Sequence, residues 1–329
     1  MDRAFLDLLV DRLPDLEPGR PFDEAAMRYA GYYGINFSNH ACQHLGRIRV
    51  DRFHLAVQVW RPARPKGSLI ILHGYYDHMG LYGHIISWAL QHDLAVLAFD
   101  LPGHGLSSGE RASIDCFTQY QAALDGVLAH AADWELPAPW HLLGQSPGGA
   151  ILIDRLLHGP LPSQLGETIL MAPLVRPRQW GMSQMSLRLL GGFVQQLGRR
   201  FTDNSNDPDF LAFIRERDPL QPQVLPVAWV ALEYLRGSEI ALSGFPWFYL
   251  AHSQYRCVHL IQVADLSKTF NDPLASKVRA TLRRQYGFPR AAGKRFGVEC
   301  VFSSEQPVYP QADGSVSHRK PGIHGVSLD

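Results

Sequence analysis

Residues 141–153 read HLLGQSPGGAILI: an apolar run, a turn of small residues through Gly144, Ser146 and Gly148, and a second apolar run. Gly144-Gln145-Ser146-Pro147-Gly148 fits G-x-S-x-G, the spacing of a sharp strand-to-helix turn. Small residues two before and two after the serine let the chain pass itself while the hydroxyl is held up into a pocket. Gly and Ser are common, so the pentapeptide alone is a weak signal. Between WHLL and AILIDRLL it has the strand–turn–helix context that the chemistry demands. The competing reading is a serine that merely caps a helix N-terminus.

The flanking sequence supports the turn. RIRVDRFHLAVQVWRP alternates apolar and polar residues at mostly period-two spacing, as a hairpin does. SLIILHG (68–74) and LAVLAFD (94–100) are short continuous apolar runs, as buried parallel strands are. LYGHIISWALQHD has helical spacing and places Ile85, Trp88 and Ala89 on one face, and CFTQYQAALDGVLAHAADW reads as the next helix. WHLLGQ, PGGAILIDRLLHG and ETILMAP then read strand, helix, strand. This order predicts an α/β protein with a doubly wound, mostly parallel sheet. Ligands of such sheets sit at the carboxyl ends of the strands, which is where His73-Gly74, Asp100 with LPGHG, and Gln145-Ser146 fall.

With 329 residues, 46% hydrophobic and 19% charged, the chain can bury a large core. Lys and Arg number 31 and Asp and Glu 31, so no global field recruits nucleic acid or an anionic membrane. Cys42, Cys116, Cys257 and Cys300 are scattered and form no CxxC pair, which favours reduced thiols and a cytoplasmic setting. No stretch approaches the roughly 18 apolar residues of a transmembrane helix. His40 and His44 have i, i+4 spacing but no acidic neighbours, so a metal is not expected.

After Pro173 the alternation lapses. Residues 174–235 read as helical, with Trp180, Met182, Met185, Leu189, Leu190 and Phe193 forming an apolar face that covers either a pocket or the sheet itself. Residues 236–329 differ again, with 12 Lys and Arg against 7 Asp and Glu. Lys277 to Val298 holds seven basic residues and no acidic one, a pattern usually belonging to a solvated face. VHLIQVAD (258–265) and VECVF (298–302) read as strands, and the tail from 303 as loop.

LHGYYDHMGLYGHIISWAL, AVLAFDLPGHGLSSGERASI and LLGQSPGGAILIDRLL occur in the order and at the separations of a known group. Over residues 45–175 the chain resembles the α/β hydrolases grouped with monoacylglycerol lipases and bacterial lysophospholipases. The stretch to about 230, including NDPDFLAFIRERDPL, is similar to that group's helical lid. The resemblance implies an N-terminal helical segment (1–45), an α/β-hydrolase core (46–173), a helical lid (174–235) and a remainder of the core (236–329). It also implies a Ser-His-Asp esterase without cofactor or metal, acting on a small acyl ester or lysolipid. Residue by residue, Ser146 matches the nucleophile and Tyr75 the residue whose backbone N–H is one oxyanion donor. Asp265, ending its strand, matches the acid, with Asp272 the alternative. His78 and His104 sit in these motifs as loop hydrogen-bonders.

Two departures follow. The family has Met where Pro147 stands, and its N–H is the second oxyanion donor, which proline lacks. No histidine lies between 260 and 317, so His318, or else His324, has to supply the base. The resemblance fades near residue 232, and one reading is that the C-terminal third comes from a fusion or a shifted reading frame. A rival function is a non-catalytic α/β-hydrolase-fold protein that binds an acyl ligand or a partner.

Overall fold

The alternating sequence at 48–61 folds as an antiparallel pair, β1 (Cys42–Val50) and β2 (Phe53–Arg61), in which Val50 faces Phe53. The turn between them takes a φ of 50° at Asp51, a conformation that Asp tolerates. Residues 1–20, 22–158, 162–174, 194–199, 201, 205, 207–229, 249–250, 261–271, 273–285, 287–291, 293–303, 309–310 and 316–317 are described by the computed structural model.

The continuous apolar runs become strands covered on both faces. Every residue of β3 (Gly67–Leu72) is buried. It pairs in parallel with β4 (Leu94–Phe99) on one side and β5 (Trp140–Gln145) on the other, and β5 pairs in parallel with β6 (Leu165–Met171). The order over these strands is β1-β2-β4-β3-β5-β6. The chain therefore leaves β3 in one direction and returns to its other side, so a topological switch point lies between the carboxyl ends of β3 and β5. The α/β-hydrolase sheet expected from the sequence is borne out.

Helices α1 (Arg3–Arg12) and α2 (Glu24–Tyr32) start where Asp2 and Asp23 accept hydrogen bonds from the N–H groups of Phe5 and Ala26. α3 (Gly83–Gln91) buries Ile86, Ala89 and Leu90. The face expected from Ile85, Trp88 and Ala89 is turned from this, since Trp88 is exposed: Ile86 and Leu90, with the preceding Tyr82, centre the apolar stripe. α4 (Phe117–Asp133) and α5 (Pro147–His158) complete the alternation. Trp60, Trp140, Tyr120 and Phe99 are among the fully buried side chains, each contributing about 1.5–3 kcal/mol on transfer from water.

Trp180, Met182, Met185, Leu189, Leu190 and Phe193, expected to form the apolar face of a lid, lie outside the described residues. What is described of 174–235 includes a short antiparallel pair, β7 (Gln196–Gly198) with β8 (Val224–Pro226), as well as helical turns. Compact contacts divide the chain into Met1–Phe201 with Ala212–Ala241, and Thr202–Leu211 with Leu242–Asp329. In the second unit β10 (Ile261–Asp265) pairs antiparallel with β11 (Glu299–Ser303), which pairs in parallel with β9 (Tyr249–Leu250). Helix α6 (Pro273–Gln285) contributes Ala275 and Leu282 to a buried cluster with Leu266 and Val298.

One polar clamp inside the first unit fixes the loop that follows β3. His78 Nε2 donates to Asp218 Oδ2 at 3.0 Å, and neither side chain is exposed. Asp218 also accepts from Tyr33 Oη at 2.8 Å, Gln221 Nε2 at 2.8 Å and the Leu220 N–H at 3.0 Å. Burial pushes the Asp218 carboxyl up, but His78 and the hydrogen bonds from His78, Gln221 and Tyr33 outweigh it and hold it at about 2. A buried charge that loses its partner costs about 3–5 kcal/mol. Asp218→Asn is expected to lower the unfolding free energy by about that amount in urea titrations. Because the folded value lies below the ordinary 3.8, the carboxylate's contribution is complete above that value and fades as pH falls towards 2. The variant's stability should lack this acid limb.

Candidate active site

β5 ends at Gln145 and α5 begins at Pro147, which leaves Ser146 alone in the bend with a φ of 50°. That left-handed conformation is strained for a serine and persists only where its surroundings fix it. They do so through the backbone. Ser146 N–H donates to Met171 O at 2.9 Å, and Ser146 O accepts from Ala150 N at 3.0 Å and Leu174 N at 2.9 Å. The two glycines of the motif are required by close approach. A Cβ on Gly144 would stand 2.6 Å from the Gly148 carbonyl carbon, and one on Gly148 would stand 2.4 Å from Leu72 O. Pro147 occupies the first helical position, where its fixed φ suits the helix and its missing N–H breaks no helical bond.

Leu72 pairs with Gly144, so the chain leaving β3 runs past this bend. His73 Nδ1–H donates to Gly74 O at 2.8 Å, and its Nε2 accepts from Leu101 N at 2.9 Å. Burial and the nearby His104 push its pKa well down, and the neutral ring ties the end of β3 to the end of β4. Asp100 accepts from Met79 N through Oδ1 and from Leu106 N through Oδ2, both at 2.7 Å, joining the loop after β3 to the PGHG turn. Tyr82 Oη accepts from Gly74 N at 2.9 Å and donates to Gln145 Oε1 at 2.5 Å. The backbone beside Tyr75 is thereby linked to the residue preceding Ser146.

Tyr75 is held from its far end. Its hydroxyl donates to Ala112 O at 2.7 Å, and its ring stacks on Trp229 at 3.6 Å between centroids. Tyr76, with a φ of 68°, lies under the Arg199 guanidinium at 4.1 Å. His104 donates from Nδ1 to Pro102 O at 2.9 Å, and burial lowers its pKa to about 4; its Nε2 has no partner among the described residues. Asp77 stands against Gly74, where a Cβ would lie 2.7 Å from its Oδ2, and desolvation lifts its carboxyl to about 6. Tyr82, Trp229 and Asp77 escaped the sequence reading. Periodicity marks the first two as core, and nothing local marks Asp77 as buried.

Of the remaining candidates, Asp265 is among the described residues. In the second unit, Asp265 accepts from Ser267 N, Ser267 Oγ and Phe296 N at Oδ1, and from Gly297 N at Oδ2, at 2.9, 2.5, 2.9 and 2.8 Å. Burial raises its pKa, but the N–H of Phe296, the Ser267 hydroxyl and N–H, and the N–H of Gly297 prevail and hold it at about 2. Asp272, His318 and His324 lie outside the described residues. Among the described residues no histidine ring is hydrogen-bonded to Ser146: His73, His78 and His104 are engaged as above, His44 contacts Arg20 O, and His141 accepts from Glu167 N.

Residues 63–244 match the Hydrolase_4 family, serine aminopeptidase S33. The chain is 32% identical to rat (Rattus norvegicus) monoglyceride lipase over 132 residues, 39% of this chain and 42% of that one. It is 48% identical to the tRNA threonylcarbamoyladenosine dehydratase of Escherichia coli K12 over 65 residues, 20% of this chain and 24% of that one. Each match spans less than half of the relative's length. Among solved structures, a soluble variant of the Saccharomyces cerevisiae monoglyceride lipase aligns with a TM-score of 0.50 at 16% identity, over 61% of this chain and 69% of that one; the likeness is one of fold.

The tightness of the bend makes a direct prediction. Gly148→Ala forces a methyl group into the Leu72 carbonyl and should destabilise the first unit by about 1–3 kcal/mol or more, read as a lowered midpoint in chemical denaturation. A variant as stable as wild type would mean the turn is looser than the 2.4 Å approach states.

Proposed function

The chain belongs to the Hydrolase_4 family, and on that premise we propose that it hydrolyses carboxylic esters carrying an acyl chain, with Ser146 as the nucleophile. One observation carries this reading: a serine in left-handed conformation between a parallel strand and a helix, beside the switch point of the sheet. Monoglyceride lipases among the relatives support an acylglycerol or lysolipid as substrate. No helix of the described residues is long and apolar enough to cross a membrane, and the scattered cysteines support a cytoplasmic setting.

In this mechanism a base takes the Ser146 proton as Oγ attacks the ester carbonyl. The tetrahedral oxyanion is held by the Tyr75 N–H. Collapse expels the protonated alcohol and leaves the acyl group on Ser146, and water repeats the cycle to release the acid. Pro147 supplies no second donor, and one missing oxyanion donor costs about 10²–10³ in kcat. A fluorophosphonate probe should therefore label the protein slowly, and Ser146→Ala should abolish the labelling; label on another residue, or none at all, would overturn the proposal. Pro147→Met is expected to raise kcat on a short-chain ester by at least about tenfold, and equal rates would remove the oxyanion argument.

The second reading, an acyl-binding protein without turnover, is favoured by the same Pro147 and by the engagement of His73, His78 and His104 in structural hydrogen bonds. A fluorescent fatty-acid analogue that binds without any probe labelling of Ser146 would select it.

A further inference from the structure

The family match ends at residue 244 and the second compact unit resumes at Leu242. Apart from Thr202–Leu211, which packs with the second unit, the family match and the packing of the first unit end within a few residues of each other. The dehydratase-like stretch of 65 residues is too long for the segment ahead of the hydrolase match, which begins at residue 63. The stretch after residue 244 is long enough to hold it whole. The same segment carries the excess of basic over acidic residues that the rest of the chain balances.

The segment also closes on itself. Leu266, Ala275, Leu282 and Val298 form a buried cluster with Ala264, Val278, Phe288 and Phe296 packed against it. Arg279 Nη1 donates to Thr269 O at 2.8 Å. Arg283 donates to Pro289 O at 3.3 Å and lies over the Phe296 ring at 5.2 Å. Asp265 is the knot of this arrangement. Four donors reach its carboxylate, all from within the segment, and two of them are the successive N–H groups of Phe296 and Gly297 across the loop from α6. A triad acid accepts from its histidine; here Oδ1 already accepts three bonds and Oδ2 accepts the Gly297 N–H, all from groups of the segment itself.

A shifted reading frame would give a sequence related to nothing, with no reason to form an amphipathic helix over its own core. A stretch 48% identical to a curated enzyme is a sequence read in its native frame. We infer that residues from about 242 onward are a second module of separate descent, fused in frame to the hydrolase segment, in which Asp265 clasps the 296–297 loop instead of serving Ser146. The inference reaches the proposed activity at one point: it withdraws Asp265 from the catalytic machinery, and with it the place from which the resemblance drew the histidine.

Calorimetry and amide exchange on the full chain test it. Two melting transitions are expected. Asp265→Asn should lower or remove one of them and speed exchange of the Ser267, Phe296 and Gly297 amides at least tenfold, while leaving fluorophosphonate labelling of Ser146 as in wild type. Asp218→Asn should lower only the other transition. A single transition shifted by both variants would overturn the inference, as would loss of labelling in Asp265→Asn with the 296–297 amides still protected. If the wild type does not label at all, the esterase proposal fails while the calorimetric and exchange results still decide this one.

Discussion

The first unit depends on a contact with no room to spare: the backbone at Gly148 passing the Leu72 carbonyl. It lets the first turn of α5 press against the end of β3, and so forces the chain to reverse within the single residue Ser146. The positive φ of that residue is a cost of order 1–3 kcal/mol. The surrounding sheet offsets it through three backbone hydrogen bonds and the burial of β3 on both faces.

Around this bend the polar groups form a frame that holds loops in place and leaves few groups for proton transfer. His73, Asp100, His78 with Asp218, and Tyr82 each join two segments that the chain order separates. Their shifted pKa values report burial and partners, and His73 and His104 remain neutral because desolvation disfavours their charged forms. Such a frame fixes the Tyr75 N–H, while Pro147 removes its usual counterpart. On the proposed mechanism, the geometry of a hydrolase is kept where its oxyanion chemistry is weakened.

The strand–turn–helix around Ser146 was legible because periodicity, glycine spacing and chain order agree over residues 42–171. Trp88 misled, since a large apolar residue at the edge of a helical stripe reads as core until the neighbouring strands fix the helix's rotation. Asp265 is instructive in another way. An aspartate that ends a strand looks the same in sequence whether it faces a histidine or caps its own loop, and only the positions of the Ser267, Phe296 and Gly297 N–H groups distinguish the two. The shift in charge and composition over residues 236–329 was legible in the sequence, and the inference of separate descent needed a second relative to compare.

Ser146 in its bend is proposed as a nucleophile served by half an oxyanion hole. The most direct measurement is intact-protein mass spectrometry after brief mixing with an activated short-chain ester, followed by peptide mapping. The account predicts one added acyl group on the peptide bearing Ser146. Ester turnover with no adduct, or with the acyl group on another residue, would contradict it.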